Sequence, residues 1–183
     1  IDNPIPNIHA WPARGNIFFT EYNDGMELPN TTQGLAPFWD EDADGFYEPN
    51  AGDYPVLEVR GCFETPVYPT EMWWFVFNDR VLHTESGLEP MNMEVQAQVF
   101  AYGCEENTPL NNTIFVRYKT INRGTESLDD THFGIYADFD IGNPNDDYFG
   151  SDAPRALVYA YNGDENDEGG YGANAPAMAM DIF

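Results

Sequence analysis

Three aspartates alternate over residues 40–45, Asp-Glu-Asp-Ala-Asp-Gly, and this run limits what the chain can become. Asp40, Asp42 and Asp44 cannot all stay ionised on one compact loop unless a cation or bulk water screens them. Ca²⁺ takes about six to eight hard oxygens, and a D-x-D-x-D-G run supplies three carboxylates, a sharp turn and then a backbone carbonyl. Here that carbonyl belongs to Phe46. The run therefore reads as a calcium loop.

The spacing follows an EF-hand loop until its last ligand, where a bidentate Glu is expected and Ala51 stands. Pro37 before the run, and Pro49, Gly52 and Pro55 after it, exclude the flanking helices. The expectation is a calcium loop between strands, with Glu48 or Asp53 closing the shell. The plain alternative is a solvated acidic turn. Residues 23–55 are rich in Gly, Pro and Asn, and so long a loop needs something to order it.

Charge narrows the possible partners. The 183 residues carry 32 acidic side chains against 7 Lys and Arg, a formal net charge of −25, and Lys119 is the only lysine. Such a surface repels nucleic acid and anionic membrane, and it suits a saline, extracellular medium where Ca²⁺ relieves self-repulsion. Aromatic residues at 15% and hydrophobic ones at 42% exclude a disordered acidic tail. No apolar run is long enough to span a bilayer, so no membrane insertion is expected. Without an initiating Met or a signal-like segment at Ile1, the chain is expected to be processed or excised. Cys62 and Cys104 each sit beside a glycine at the edge of a strand-like run. In an exported protein they are expected to form a disulfide.

The rest of the chain is punctuated β-sequence. Residues 1–15 read as an extended arm and Asn16–Tyr22 as a first strand. Further runs cover Val56–Val59, Met72–Asn78, Met93–Tyr102, Thr113–Ile121, His132–Phe139, Ala156–Tyr161 and Ala177–Phe183. In Met93–Tyr102, Met93, Val95, Ala97 and Val99 alternate with Glu94, Gln96 and Gln98. No segment has sustained helical periodicity with caps. The expected class is all-β, an antiparallel sandwich or jelly roll with long calcium-ordered loops. Residues 1–55 would supply the arm, first strand and calcium loop, and residues 56–183 the body, together one domain.

A second acidic excursion holds Asp138, Asp140, Asp146, Asp147 and Asp152 around a Gly/Pro turn. It is a candidate second cation site, against the reading of an Asx-rich turn that caps the sheet. Asn162–Glu168 is a third acidic turn; Asn162-Gly163-Asp164 suits a tight turn without metal, though Asp164 and Asp167 could add to the second site. Catalytic patterns are poor. His9, His83 and His132 are scattered, and neither a nucleophile elbow nor a phosphate loop occurs. A glycoside hydrolase needs only two opposed carboxylates, and Glu71, Glu94 and Glu126 are the first to inspect. Trp73 and Trp74, adjacent on one strand, must point to opposite faces. An outward-facing one could stack on a sugar or pack against a neighbouring domain.

Several motifs in order carry a resemblance: Ala36-Pro-Phe-Trp-Asp-Glu-Asp-Ala-Asp-Gly-Phe-Tyr-Glu-Pro, Gly52-Asp-Tyr-Pro, Trp73-Trp-Phe-Val-Phe-Asn-Asp, Asn111-Asn-Thr-Ile-Phe, Asp138-Phe-Asp-Ile-Gly, Asp146-Asp-Tyr-Phe-Gly-Ser-Asp and Tyr159-Ala-Tyr-Asn-Gly-Asp. The chain resembles a region of large multidomain proteins exported by Bacteroidetes-type bacteria through the type IX secretion system. The resemblance spans most of residues 8–183 and implies a secreted or cell-surface location beside other domains, not a reaction. Two features depart from that pattern: Ser151 stands where many such chains carry Cys, and the C-terminal sorting domain is missing. A chain stopping at Phe183 within a strand-like run is expected to be a piece of a larger assembly. The expected role is a calcium-stabilised structural or adhesive module whose partners are other domains or subunits of a surface protein. The alternatives are a carbohydrate-binding module for polysaccharide and a glycoside hydrolase-type domain.

Overall fold

A computed structural model describes residues 6–31, 33–58, 69–81, 83–104 and 109–182. Backbone packing divides the chain into two compact units, Ile1–Ser127 and Leu128–Phe183. The strands pair antiparallel throughout and the described helices are single turns, so the expected all-β antiparallel class is what the chain adopts.

In the first unit, β3 (Glu71–Asn78), β4 (Met93–Ala101) and β5 (Ile114–Asn122) form a three-stranded meander in the order β3–β4–β5. Aromatic and β-branched residues fill these strands, the composition that suits a pleated surface. Trp74 lies opposite Gln98, and Gln98 opposite Arg117. Two shorter strands, β1 (Phe38–Trp39) and β2 (Tyr54–Pro55), pair antiparallel and clamp both ends of residues 40–53. Single helical turns, α1 (Pro6–His9) and α2 (Phe19–Tyr22), precede them. The core of this unit is Trp11, Ala13, Ala36 and Tyr47, with Phe38, Met72 and Trp74 packed against it.

The sheet is covered on an unusual side. An alternating strand ordinarily turns its apolar face to the core, yet Glu94, Gln96 and Gln98 are the buried residues of that face of β4. Two segments, one before β1 and one after β2, make polar contacts with this face. Gln96 Nε2 donates to Gly34 O at 3.2 Å, Gln98 Nε2 to Val56 O at 2.9 Å, and Glu58 N to Gln98 Oε1 at 3.3 Å. Lys119 Nζ pairs with the Glu58 carboxylate at 2.9 Å. Apart from that ion pair, these contacts tie both segments to the sheet through their backbone. On the opposite face Trp73, Phe75, Phe77, Ile114, Val116 and Tyr118 stay exposed.

In the second unit, β6 (Asp147–Asp152), β7 (Leu157–Asn162) and β10 (Met178–Asp181) form a sheet in the order β10–β7–β6, beside a small ribbon of β8 (Asn166–Asp167) and β9 (Gly172–Ala173). Ile141, Ala160 and Asp167 are its buried residues.

Several local expectations are corrected. Asn16–Tyr22 is not a strand. Asn16 Oδ1 accepts Phe18 N–H at 3.0 Å while its Nδ2 donates to His9 O and Trp11 O, so an Asx turn outcompetes the β-prone Ile-Phe-Phe run. Pro6–His9 is a helical turn within the expected extended arm. His132–Phe139 joins no ladder, and Gly134 interrupts its alternation. Of Val56–Val59, residues 56–58 follow β2 without pairing, and Val59 lies outside the described residues. In the other direction, β6 occupies a stretch expected to be loop. The expected disulfide is not formed at Cys104, a free thiol beside Asn111; Cys62 lies outside the described residues.

Candidate metal centre

The loop between β1 and β2 gathers the three alternating aspartates. One carboxylate oxygen each from Asp40, Asp42 and Asp44 lies within 4.8 Å of the other two. With Ca–O bonds of about 2.3–2.6 Å, two ligands of one ion can lie at most about 5 Å apart, so the spacing fits a shared cation. Hard carboxylate oxygens without nitrogen or sulfur are the donor set of Ca²⁺ or Mg²⁺.

Backbone amides hold these side chains in place. Gly45 N donates to Asp40 Oδ2 at 2.8 Å and Phe46 N to Asp44 Oδ1 at 2.8 Å. Asp44 N reaches both Asp40 Oδ1 at 3.2 Å and Asp42 Oδ1 at 3.3 Å. Gly45, at φ +82°, makes the turn that brings these amides round without steric cost. Ala43 takes φ 61°, a left-handed conformation that costs an alanine about 1 kcal/mol.

The loop is braced from beneath. Asp53, 3% exposed, accepts Glu41 N at 2.9 Å and Glu48 N at 2.7 Å, one amide near the start of the aspartate run and one beyond its end. Both its oxygens thus face backbone amides, and its position is that of a brace under the cluster. Glu48 is exposed and outside the three-aspartate group. Phe46 stacks its ring beneath the Arg14 guanidinium, 5.0 Å away, and packs on Gly15. Tyr47, fully buried behind the loop, donates its hydroxyl to Ile8 O at 2.7 Å, and burial followed by the Asp53 charge pushes its pKa up. Trp39 stacks on Tyr54 across β1–β2 and donates Nε1 to Glu41 Oε2 at 2.8 Å.

Crowding of charge is visible in one group. Partial loss of hydration, and then the charge of Asp44, raise the Asp42 pKa above its ordinary value; the Asp44 backbone hydrogen bond opposes this, and Asp40 and Asp53 add to it. Without a cation, the ionised loop is under repulsion.

The second acidic excursion does not come together as one cluster. Asp138 and Asp140 are exposed, and Asp138 accepts the Tyr136 hydroxyl at 3.3 Å. Asp152 ends β6 and pairs with Arg155 at 2.9 Å. Asp147 begins the same strand, and at about 3.3 Å per residue the two lie roughly 17 Å apart. Asp147 and, beside it, Asp146 lie with Asn162 at the open end of the β6–β7 ladder, away from the turn that joins the two strands, and Asn162 is a residue that turn chemistry alone had explained. Asp167, fully buried, accepts Asn143 N and Tyr171 N.

The remaining candidates separate cleanly. Trp74 turns to the core, whereas Trp73 is 64% exposed with Nε1 donating to Glu71. Glu94 is 4% exposed and held by Arg123 through two hydrogen bonds at 3.0 and 3.1 Å, with Gln96 adding a third. The Arg123 hydrogen bonds lower its pKa, against burial, with Gln96 and the Arg123 charge reinforcing them. Among the described helices, none is long and apolar enough to cross a membrane.

Comparison with protein-family models, with curated proteins and with solved structures finds no match to this chain.

Proposed function

We propose that this chain is a calcium-stabilised structural or adhesive module of a secreted or cell-surface protein. The observation that carries the reading is the convergence of Asp40, Asp42 and Asp44 on a loop whose amides and brace already fix their oxygens. A cation bound there relieves the repulsion that, after lost hydration, raises the Asp42 pKa, and it stabilises the folded loop because the unfolded chain offers no such cluster. The exposed apolar face carrying Trp73, Phe75, Phe77, Ile114, Val116 and Tyr118 supports a packing partner, the expected one being another domain or subunit of the parent protein. The resemblance to proteins exported through the type IX secretion system supports the same setting.

Carbohydrate binding is the second reading, favoured by one specific feature: Trp73 presents its ring on an exposed sheet face.

Tb³⁺ luminescence tests the metal reading. Trp39 sits next to Asp40, so excitation of the protein in Tb³⁺ should give sensitised emission that Ca²⁺ quenches by competition and that Trp39→Phe and Asp42→Ala both reduce. Emission insensitive to Asp42→Ala sinks the reading.

A further inference from the structure

We infer that the second unit holds its own hard divalent cation, on the side-chain oxygens of Asp146, Asp147 and Asn162. Three buried oxygens there, Asp146 Oδ1, Asp147 Oδ1 and Asn162 Oδ1, receive no hydrogen bond from the protein. Buried polar atoms are almost always partnered, and an unpartnered buried carboxylate oxygen is the costliest kind. Here the orphans occur together, at one end of one ladder.

Their surroundings fix them. Asp147 and Asn162 are register partners of β6 and β7, so their side chains share a face of the sheet. The other oxygen of Asp147 accepts Ile141 N at 2.8 Å, which anchors the carboxylate and leaves Oδ1 free. The Asn162 amide nitrogen donates to Asp164 O at 3.1 Å, which turns its oxygen the other way. Asp146 is tied to the opposite turn, its carbonyl accepting Gly163 N at 2.8 Å. Gly163 has no room for a side chain, because that carbonyl and the Tyr148 ring occupy the place of a Cβ. The two turns are closed on each other.

The unit offers no counter-charge. Residues 128–183 contain twelve Asp and Glu but a single Lys or Arg, Arg155, which pairs with Asp152 at the far end of β6. A charge must therefore come from outside the unit. Two carboxylates and an amide oxygen, without sulfur or imidazole, select a hard cation, and an irregular turn suits Ca²⁺ better than the strict octahedron of Mg²⁺. The site thus narrows the second acidic excursion: Asp138, Asp140 and Asp152 lie outside it, and Asn162 enters it.

Calcium titration calorimetry on the full 183-residue chain tests this, and it separates this site from the Asp40–Asp44 loop. Asp42→Ala should leave one calcium event. Asp147→Asn, which keeps shape and removes charge, should weaken that remaining event at least roughly tenfold. Asn162→Asp adds a charged ligand and should tighten it, again by roughly tenfold. Should Asp147→Asn disturb folding by circular dichroism, Asn162→Asp still decides. Calcium binding abolished by Asp42→Ala alone overturns the inference, as does an affinity indifferent to Asn162→Asp, which would assign the orphan oxygens to water. A calcium event that survives Asp42→Ala undiminished in number but responds to residue 162 supports this site and removes the first one.

Discussion

Asp53 accepts the backbone N–H of Glu48 at 2.7 Å, and through its second oxygen it also takes Glu41 N, twelve residues back along the chain. One buried carboxylate therefore stitches together both shoulders of the aspartate loop. Asp53→Ala leaves two amides without their acceptor, at a cost of about 2–4 kcal/mol. Urea denaturation should show that loss even in EDTA, with Asp53→Asn intermediate. A loss seen only with Ca²⁺ present would make Asp53 a ligand instead of a brace.

Asp42→Asn should change sign with calcium. In EDTA the substitution removes a charge whose pKa is raised by lost hydration and by Asp44, so the melting temperature should rise slightly. In excess Ca²⁺ it removes a ligand, and the melting temperature should fall. Because the folded-state pKa is raised, the metal-free loop is most favoured below the ordinary value of 3.8 and loses that advantage as pH climbs through the raised pKa. Calcium affinity should run the opposite way, falling on acidification through the same window.

Glu94 and Arg123 predict a different pH dependence. The Glu94 pKa is lowered, so its contribution to stability is present above the ordinary value of 4.5 and is lost as pH falls through the lowered one. Stability measured from pH 6 down to pH 3 should fall less steeply in Glu94→Gln than in the parent. Arg123→Ala strands the carboxylate in a buried site and should destabilise clearly at neutral pH, whereas Arg155→Ala, at an exposed pair, should stay within about 0.5 kcal/mol.

The two tryptophans should behave oppositely. Trp74→Ala opens a cavity beside Trp11 and Tyr47 and should cost about 2–3 kcal/mol. Trp73→Ala should leave the melting curve nearly unchanged and act on binding. If polysaccharide pull-down by the parent chain disappears in Trp73→Ala, the carbohydrate reading takes over; if only association with a partner domain weakens, the structural reading stands.

Much of this was legible in the residues, for identifiable reasons. Met-Trp-Trp-Phe-Val-Phe and the alternation from Met93 declare strands because side-chain chemistry at period two is local information. The Asp40–Asp44 cluster is equally local, since five consecutive residues and a glycine carry it. β6 was illegible because Asp147-Tyr-Phe-Gly-Ser-Asp has acidic ends and a central glycine. Gly150 is there because the Tyr159 ring across the ladder fills the place of its side chain, a fact of register. Asn162 was hidden for the same reason: its partnership with Asp147 exists only once β6 and β7 pair. Nor does alternation say which face is covered, and here the polar face of β4 is the one that the backbone carbonyls of Gly34 and Val56 come to meet.

Thermal unfolding of the chain in EDTA and in saturating Ca²⁺ bears most directly on the claim that divalent ions complete these acidic turns. At a hundredfold excess over Kd, each bound ion should add about 2.7 kcal/mol of stability, with a correspondingly higher melting temperature. Superimposable melting curves, with and without calcium, would contradict it.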